Sequence, residues 1–238
     1  MKKAIIPILI FVLFTSCSYQ ALTDGYVMPE KTTVEEIDGV FRVMPQCYDM
    51  DEAMVFYPGG LVDPEAYIPL AAEMAHTLKM VVFIQKMPLD LAVLGSNRVE
   101  AILEKYSYIK NWYFSGHSLG GAMAASWIYD NPDKFKALIL LGAYPIEKKP
   151  LNQSGIKVLS IRGSKDGLVS SEELTESREN LPSDSRFIEI KGGNHAQFGV
   201  YGKQKKDNDA DISPEEQRRE VIVEIQTFLD EINPRRVY

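Results

Sequence analysis

The sequence predicts an α/β fold, with a mostly parallel central sheet and helices on both faces, and three observations carry that prediction. Short apolar runs alternate with amphipathic segments through the middle of the chain. Two of those runs, residues 80–84 and 137–141, are apolar without interruption, as strands covered on both faces must be. The third is the stretch 112–125, WYFSGHSLGGAMAA, which passes abruptly from aromatic residues to a small-residue run at Gly116-His117-Ser118-Leu119-Gly120. That is G-x-S-x-G between a strand and a helix, the context in which a serine is presented on a strained, exposed turn. So sharp a turn needs backbone freedom at its shoulders.

The elements follow in order. Residues 40–44 and 53–57 read as strands, the second ending at Pro58-Gly59-Gly60. Asp63 and Pro64 open an amphipathic helix over 64–79. After the strand at 80–84, MPLDLAVLG (87–95) reads as a loop and 97–106 as a helix. The strand at 112–114 leads into the serine turn, whose helix is stopped near Asp130 by Asn131-Pro132. Strands at 137–141, 157–162 and 186–190, a helix over 171–180 and a closing amphipathic helix over 214–229 complete the pattern. Only about fifteen residues separate the 137–141 strand from the next, too few for a sizeable helical cap.

The first residues read as a leader rather than as fold. Lys2 and Lys3 precede an 11-residue apolar run, 4–14, and the small residues Thr15-Ser16-Cys17-Ser18 follow. This is the layout of an export signal, and the run is too short to span a bilayer as a helix. Residues 14–17 resemble a bacterial lipoprotein box, which implies a signal at 1–16, a lipidated Cys17 as the mature first residue and an envelope-anchored protein. Without lipidation, the same leader implies a periplasmic or secreted one. Residues 17–36 read as a tether and 37–238 as one domain. If Cys17 is not acylated, a bridge to Cys47 becomes available. The formal charge of the 238 residues is -7, and removing Lys2 and Lys3 deepens it to -9. Such a surface does not suit nucleic acid, and membrane contact is expected through the anchor rather than through anionic lipid.

Four strand ends deliver chemistry. Pro58-Gly59-Gly60-Leu61, Ser118, Asp166 and His195 each follow a predicted strand, where sites lie in parallel sheets. A serine hydroxyl needs a base to take its proton. An imidazole has the right proton affinity, and a carboxylate must orient it. Of the three histidines, His76 lies within a helix and His117 precedes the serine, where its side chain should point away from Ser118 and be packed and hydrogen-bonded. His195 alone sits in a post-strand loop, bracketed by Gly192, Gly193 and Gly199. For the acid, Asp166 competes with Glu147. Oxyanion donors are expected from the Leu119 N–H, at a helix N-terminus, and from the N–H of Leu61 or Gly60, with Leu61 favoured. Leu89, Leu91, Val93 and Leu94 cluster after the 80–84 strand, and with Phe198 they could line an apolar acyl pocket, with Leu91, Leu94 and Phe198 the named candidates. In 203–211, KQKKDNDAD, alternating aspartates lack the glycine and glutamate of a calcium loop, so a solvated charged loop is expected and no metal.

With PGGLVDPEAY, MPLDLAVLG, GHSLGGAMAA and GGNHAQFGVYG together, residues 38–232 resemble the α/β-hydrolase superfamily, in a compact bacterial and fungal branch. The chain order Ser…Asp…His is the one that superfamily uses. The resemblance implies an α/β-hydrolase fold with little or no cap, a Ser118–Asp166–His195 triad and an esterase-like site that needs no cofactor. The function expected is an exported serine hydrolase cleaving a small or surface-presented carboxylic ester through an acyl-enzyme. An acyltransferase with the same triad, or a non-catalytic surface-anchored binding module, are the rival readings.

Overall fold

Alternate residues of the central strands bury themselves on opposite sides of the sheet, and this double-sided burial organises the molecule. The computed structural model describes residues 18–47, 49, 51–169, 173, 175 and 177–234. Among these, β1 (Thr32–Ile37), β2 (Val40–Pro45), β3 (Glu52–Tyr57), β4 (Val81–Gln85), β5 (Asn111–His117), β6 (Ala137–Leu141), β7 (Lys157–Gly163) and β8 (Arg186–Ile190) form one sheet in the order β1-β2-β4-β3-β5-β6-β7-β8. The β1–β2 and β2–β4 pairs are antiparallel, and every other pair is parallel. The helices described along their whole length are α1 (Ile68–Leu78), α2 (Val99–Lys105), α3 (Leu119–Asp130) and α4 (Pro214–Ile232).

Met54 and Phe56 of β3 enter a core shared with α1 and α4, whereas Ala53, Val55 and Tyr57 enter a second core shared with α2 and α3. The same parity splits Val82 and Ile84 from Val81 and Phe83 in β4. Local chemistry sets the helix ends. Ser213 and Glu216 form a reciprocal cap with Pro214 in the first turn of α4, and Lys79 ends α1 in a left-handed conformation.

The predicted helix over 64–79 is a 3₁₀ turn, Pro64–Tyr67, followed by α1. The 87–95 loop contains two further 3₁₀ turns, Pro88–Asp90 and Ala92–Leu94. Residues 142–156, between β6 and β7, form no helix, so this connection inserts no helical cap. Residues 1–17, which hold the expected leader and Cys17, and much of the 171–180 segment lie outside the described residues.

Two expectations are corrected at the N-terminal side. Residues 32–36, placed in a tether by their polarity, form β1 together with Ile37 and pair with β2 along its whole length. Residues 19–26 are docked as well: Tyr19 N–H donates to the Leu61 carbonyl at 2.7 Å, Leu22 N–H to the Val200 carbonyl at 2.8 Å, and the Tyr26 hydroxyl to the Pro69 carbonyl at 3.2 Å. A mixed polar composition concealed this because the side chains that pack on the core, Tyr19, Ala21 and Tyr26, are few and only partly buried, and the backbone bonds leave no hydrophobic period to read.

Candidate active site

Ser118 stands where β5 meets α3, with φ 51° and ψ −124°, left-handed backbone for a residue with a side chain. A surrounding structure must impose such a conformation. Here the Ser118 N–H is tied to the Leu141 carbonyl at the end of β6, at 3.0 Å. Gly120 meets the end of β3 so closely that a Cβ would fall 2.2 Å from the carbonyl oxygens of Tyr57 and Pro58. The first turn of α3 can therefore sit on that strand end only with glycine there.

Asp166 and His195 come from the loops after β7 and β8. The Leu168 and Val169 N–H groups donate to Asp166 Oδ1 at 2.9 and 2.8 Å, which leaves Oδ2 for His195 Nδ1 at 2.8 Å. Both side chains are almost wholly buried. A carboxylate pays heavily for burial unless its oxygens are satisfied, and these are. The bond fixes the tautomer: Nδ1 carries the proton and Nε2 keeps its lone pair. Nε2 is buried and makes no hydrogen bond, so the imidazole is not bonded to Ser118 in this state. The rival acid, Glu147, is exposed.

The residues beside Ser118 also flank the histidine. The His117 ring packs 4.5 Å from the His195 ring, centroid to centroid, at 47°. Gly142, directly after Leu141, has φ +51°, and a Cβ on it would lie 3.0 Å from His195 Nδ1 and 3.2 Å from Asp166 Oδ2. His117 is buried as expected. The Gly59 N–H donates to the Tyr67 hydroxyl at 3.0 Å, and that hydroxyl is hydrogen-bonded to His117 Nδ1 at 2.8 Å. Burial holds the His117 proton affinity well below the ordinary histidine value, the neighbouring His195 lowers it further, and the His195 carbonyl opposes the shift weakly.

The loop carrying His195 is held by residues the sequence reading passed over. Gln217 of α4, fully buried, accepts from Asn194 N–H at 2.9 Å and donates to the Asn194 carbonyl at 2.9 Å. Asp207 accepts from Gly167 N–H at 3.0 Å and from Ala196 N–H at 2.8 Å, joining the acid loop to the base loop. The expected solvated loop over 203–211 is thus corrected: its first aspartate is a half-buried clamp. Among the described residues, no cluster of histidine, cysteine, aspartate or glutamate is arranged to hold a metal.

The oxyanion expectation is revised in one respect. Leu61 N–H is spent, because it donates to the Asp90 carbonyl at 2.8 Å. Among the described residues the Gly60 N–H makes no backbone hydrogen bond, and a Cβ on Gly60 would meet the Leu119 side chain at 2.9 Å, so Gly60 and Leu119 are neighbours. Of the expected pocket residues, Phe198 is 2% exposed and packs against His117 with ring centroids 5.4 Å apart, which leaves almost no surface for a substrate. Leu91 is half-buried and Leu94 exposed, as are Leu89 and Val93. Cys47 is an exposed free thiol.

The model of the alpha/beta hydrolase family matches residues 53–219. The chain belongs to the alpha/beta hydrolase family. Among solved structures, a CIB-like hydrolase from Thermoplasma acidophilum superposes with TM-score 0.62 at 16% identity, covering 84% of this chain and 100% of that one. Est1E from Butyrivibrio proteoclasticus gives 0.58 at 14%, covering 84% and 99%. A monoacylglycerol lipase from Paleococcus ferrophilus gives 0.59 at 13%, covering 82% and 99%. At such identities the likeness is one of fold. No curated protein matches this hydrolase in sequence.

Proposed function

We propose that this hydrolase is an exported serine esterase, anchored to the cell envelope through acyl chains on Cys17, that cleaves a small or surface-presented carboxylic ester through an acyl-enzyme. Ser118 Oγ attacks the ester carbon as His195 Nε2 takes its proton. Asp166 holds the ring and offsets its charge. The N–H groups of Leu119 and Gly60 receive the oxyanion. Collapse expels the alcohol, protonated by His195, and a water activated by the same nitrogen then releases the acid. The buried 2.8 Å bond between Asp166 and His195, with Nε2 left unpaired, carries this reading. A serine–histidine bond that is open in the resting enzyme is ordinary, since such bonds tighten on the substrate. His117, held neutral against the His195 ring, adds no charge beside the imidazolium.

Labelling with a fluorophosphonate probe tests the nucleophile. The parent should be labelled and Ser118→Ala should not. Equal labelling of the two, or none in a folded parent, would remove Ser118 from the role.

A further inference from the structure

Leu61 is bonded on both sides: its N–H to the Asp90 carbonyl at 2.8 Å and its carbonyl to Tyr19 N–H at 2.7 Å. The 87–95 loop, the Gly60–Leu61 loop and the first described residues therefore lie side by side at the catalytic edge. Tyr19 is pinned further. Its carbonyl accepts from Asp63 N–H at 2.9 Å, it bridges to Val62, and its ring packs 5.6 Å from that of Tyr201. Its hydroxyl accepts from Lys205 N–H at 3.2 Å. The described chain thus begins beside the catalytic edge, and Tyr19 stands two residues after Cys17 in the sequence.

The rim of that edge is apolar. Of the ten exposed large hydrophobic residues among those described, six lie on the docked N-terminal segment or on the two loops joined through Leu61: Leu22, Val27, Leu61, Leu89, Val93 and Leu94, with Leu89 at 72% and Leu94 at 54% exposure. Tyr108, Tyr129, Ile146 and Val223 lie elsewhere along the chain. Leu89 also holds a left-handed backbone, φ 51°, a costly way to present a branched side chain to water. Grouped apolar exposure of this kind marks an interaction surface.

We infer that the catalytic edge docks on a phospholipid bilayer: the acyl chains of Cys17 and the rim leucines enter one leaflet, and the ester delivered to Ser118 belongs to an amphiphile in that leaflet. The inference rests on the proposed acylation of Cys17, which supplies one membrane signal while the rim supplies the second. With the mature chain strongly acidic, the contact is apolar and does not depend on anionic lipid.

Depth-dependent quenching tests it. The full chain is expressed with its leader, the mature protein is recovered from membranes, and its mass reports acylation of residue 17. Leu89→Trp and Leu94→Trp place a reporter on the rim. Tyr108→Trp places one just before β5, at the opposite end of the strands, where Tyr108 is 54% exposed. Trp112 and Trp127, each 6% exposed, contribute the same background to every variant. In phosphatidylcholine vesicles with brominated acyl chains, both rim variants should be quenched at least about twofold more than Tyr108→Trp. An acylated protein whose rim reporters are quenched no more than Tyr108→Trp overturns the docking while the anchor stands. A mature protein without acyl groups overturns the anchor itself, and the docking with it.

Discussion

Gln217 holds the backbone of Asn194 on both sides, accepting from its N–H and donating to its carbonyl, each at 2.9 Å. Both residues are buried, and His195 comes next in the chain. Gln217→Met, of nearly the same size, leaves two buried backbone groups unpaired. The loss of stability, measured by urea unfolding, should be roughly 2–4 kcal/mol. On a soluble ester, kcat should fall about tenfold or more with little change in KM, because a small displacement of the base damages the chemical step rather than binding. Parental kcat in a destabilised variant would show that the clamp serves only the fold.

Asp207 makes the second such link, from Gly167 N–H to Ala196 N–H. Asp207→Asn keeps one acceptor and turns an NH₂ group against the other amide. The acid and base loops then lose their common tie, so kcat should fall roughly 10- to 100-fold while KM stays within about threefold. Asp209→Asn is the control. Asp209 lies two residues away and pairs only with the exposed Lys203, so its loss should leave kcat unchanged.

These two clamps also show where the sequence was legible. The Asp166–His195 pair and the Ser118 turn were legible because each of these residues follows a strand and sits among glycines, a local signature. Gln217 and Asp207 have none. A glutamine near the start of an amphipathic helix reads as its wet face, and an aspartate among lysines reads as a solvated loop. Their roles depend on backbone amides 23 and 40 residues away in the chain, which periodicity does not encode. β1 was missed for a related reason. TTVEEI buries little, being an edge strand paired on one side only, so it lacks the apolar run that revealed β4 and β6. That the Leu61 N–H is engaged was not legible either, because its partner, the Asp90 carbonyl, lies in a separate loop.

Gly142 gives a third prediction. Its φ of +51° disfavours any side chain, and a Cβ would press on both His195 Nδ1 and Asp166 Oδ2. Gly142→Ala should cost about 1–2 kcal/mol in stability from the backbone alone. It should also push the imidazole off its carboxylate, so kcat should drop about 100-fold. Loss of stability with kcat intact would mean that the pair tolerates the methyl group by moving together.

The choice of acid can be settled kinetically. Asp166→Asn should leave the fold intact and lower kcat by about 10⁴-fold, since an amide in that position favours the wrong imidazole tautomer. Glu147→Gln, on an exposed side chain, should have no effect. The reverse pattern would transfer the orienting role to Glu147.

His117 predicts a pH dependence of stability. Burial keeps it neutral in the folded protein well below the ordinary histidine value of 6.5. In the unfolded chain, residue 117 binds a proton as the pH falls through about 6.5. Below that pH the unfolded state holds one proton that the native state does not, so stability must fall as the solution is acidified. Between pH 7 and pH 5.5 this single group should remove about 1 kcal/mol. Asp90, Asp184 and Glu216 add their own dependence, so the measurement is a comparison. His117→Gln loses the Tyr67 contact and starts from a lower stability, but its urea-unfolding free energy should decline less steeply over the same interval, by about that amount. Parallel curves for the two proteins would mean that His117 takes up its proton without leaving the folded state. In that event its neutrality beside His195, and with it the uncharged setting for the imidazolium, would have to be abandoned.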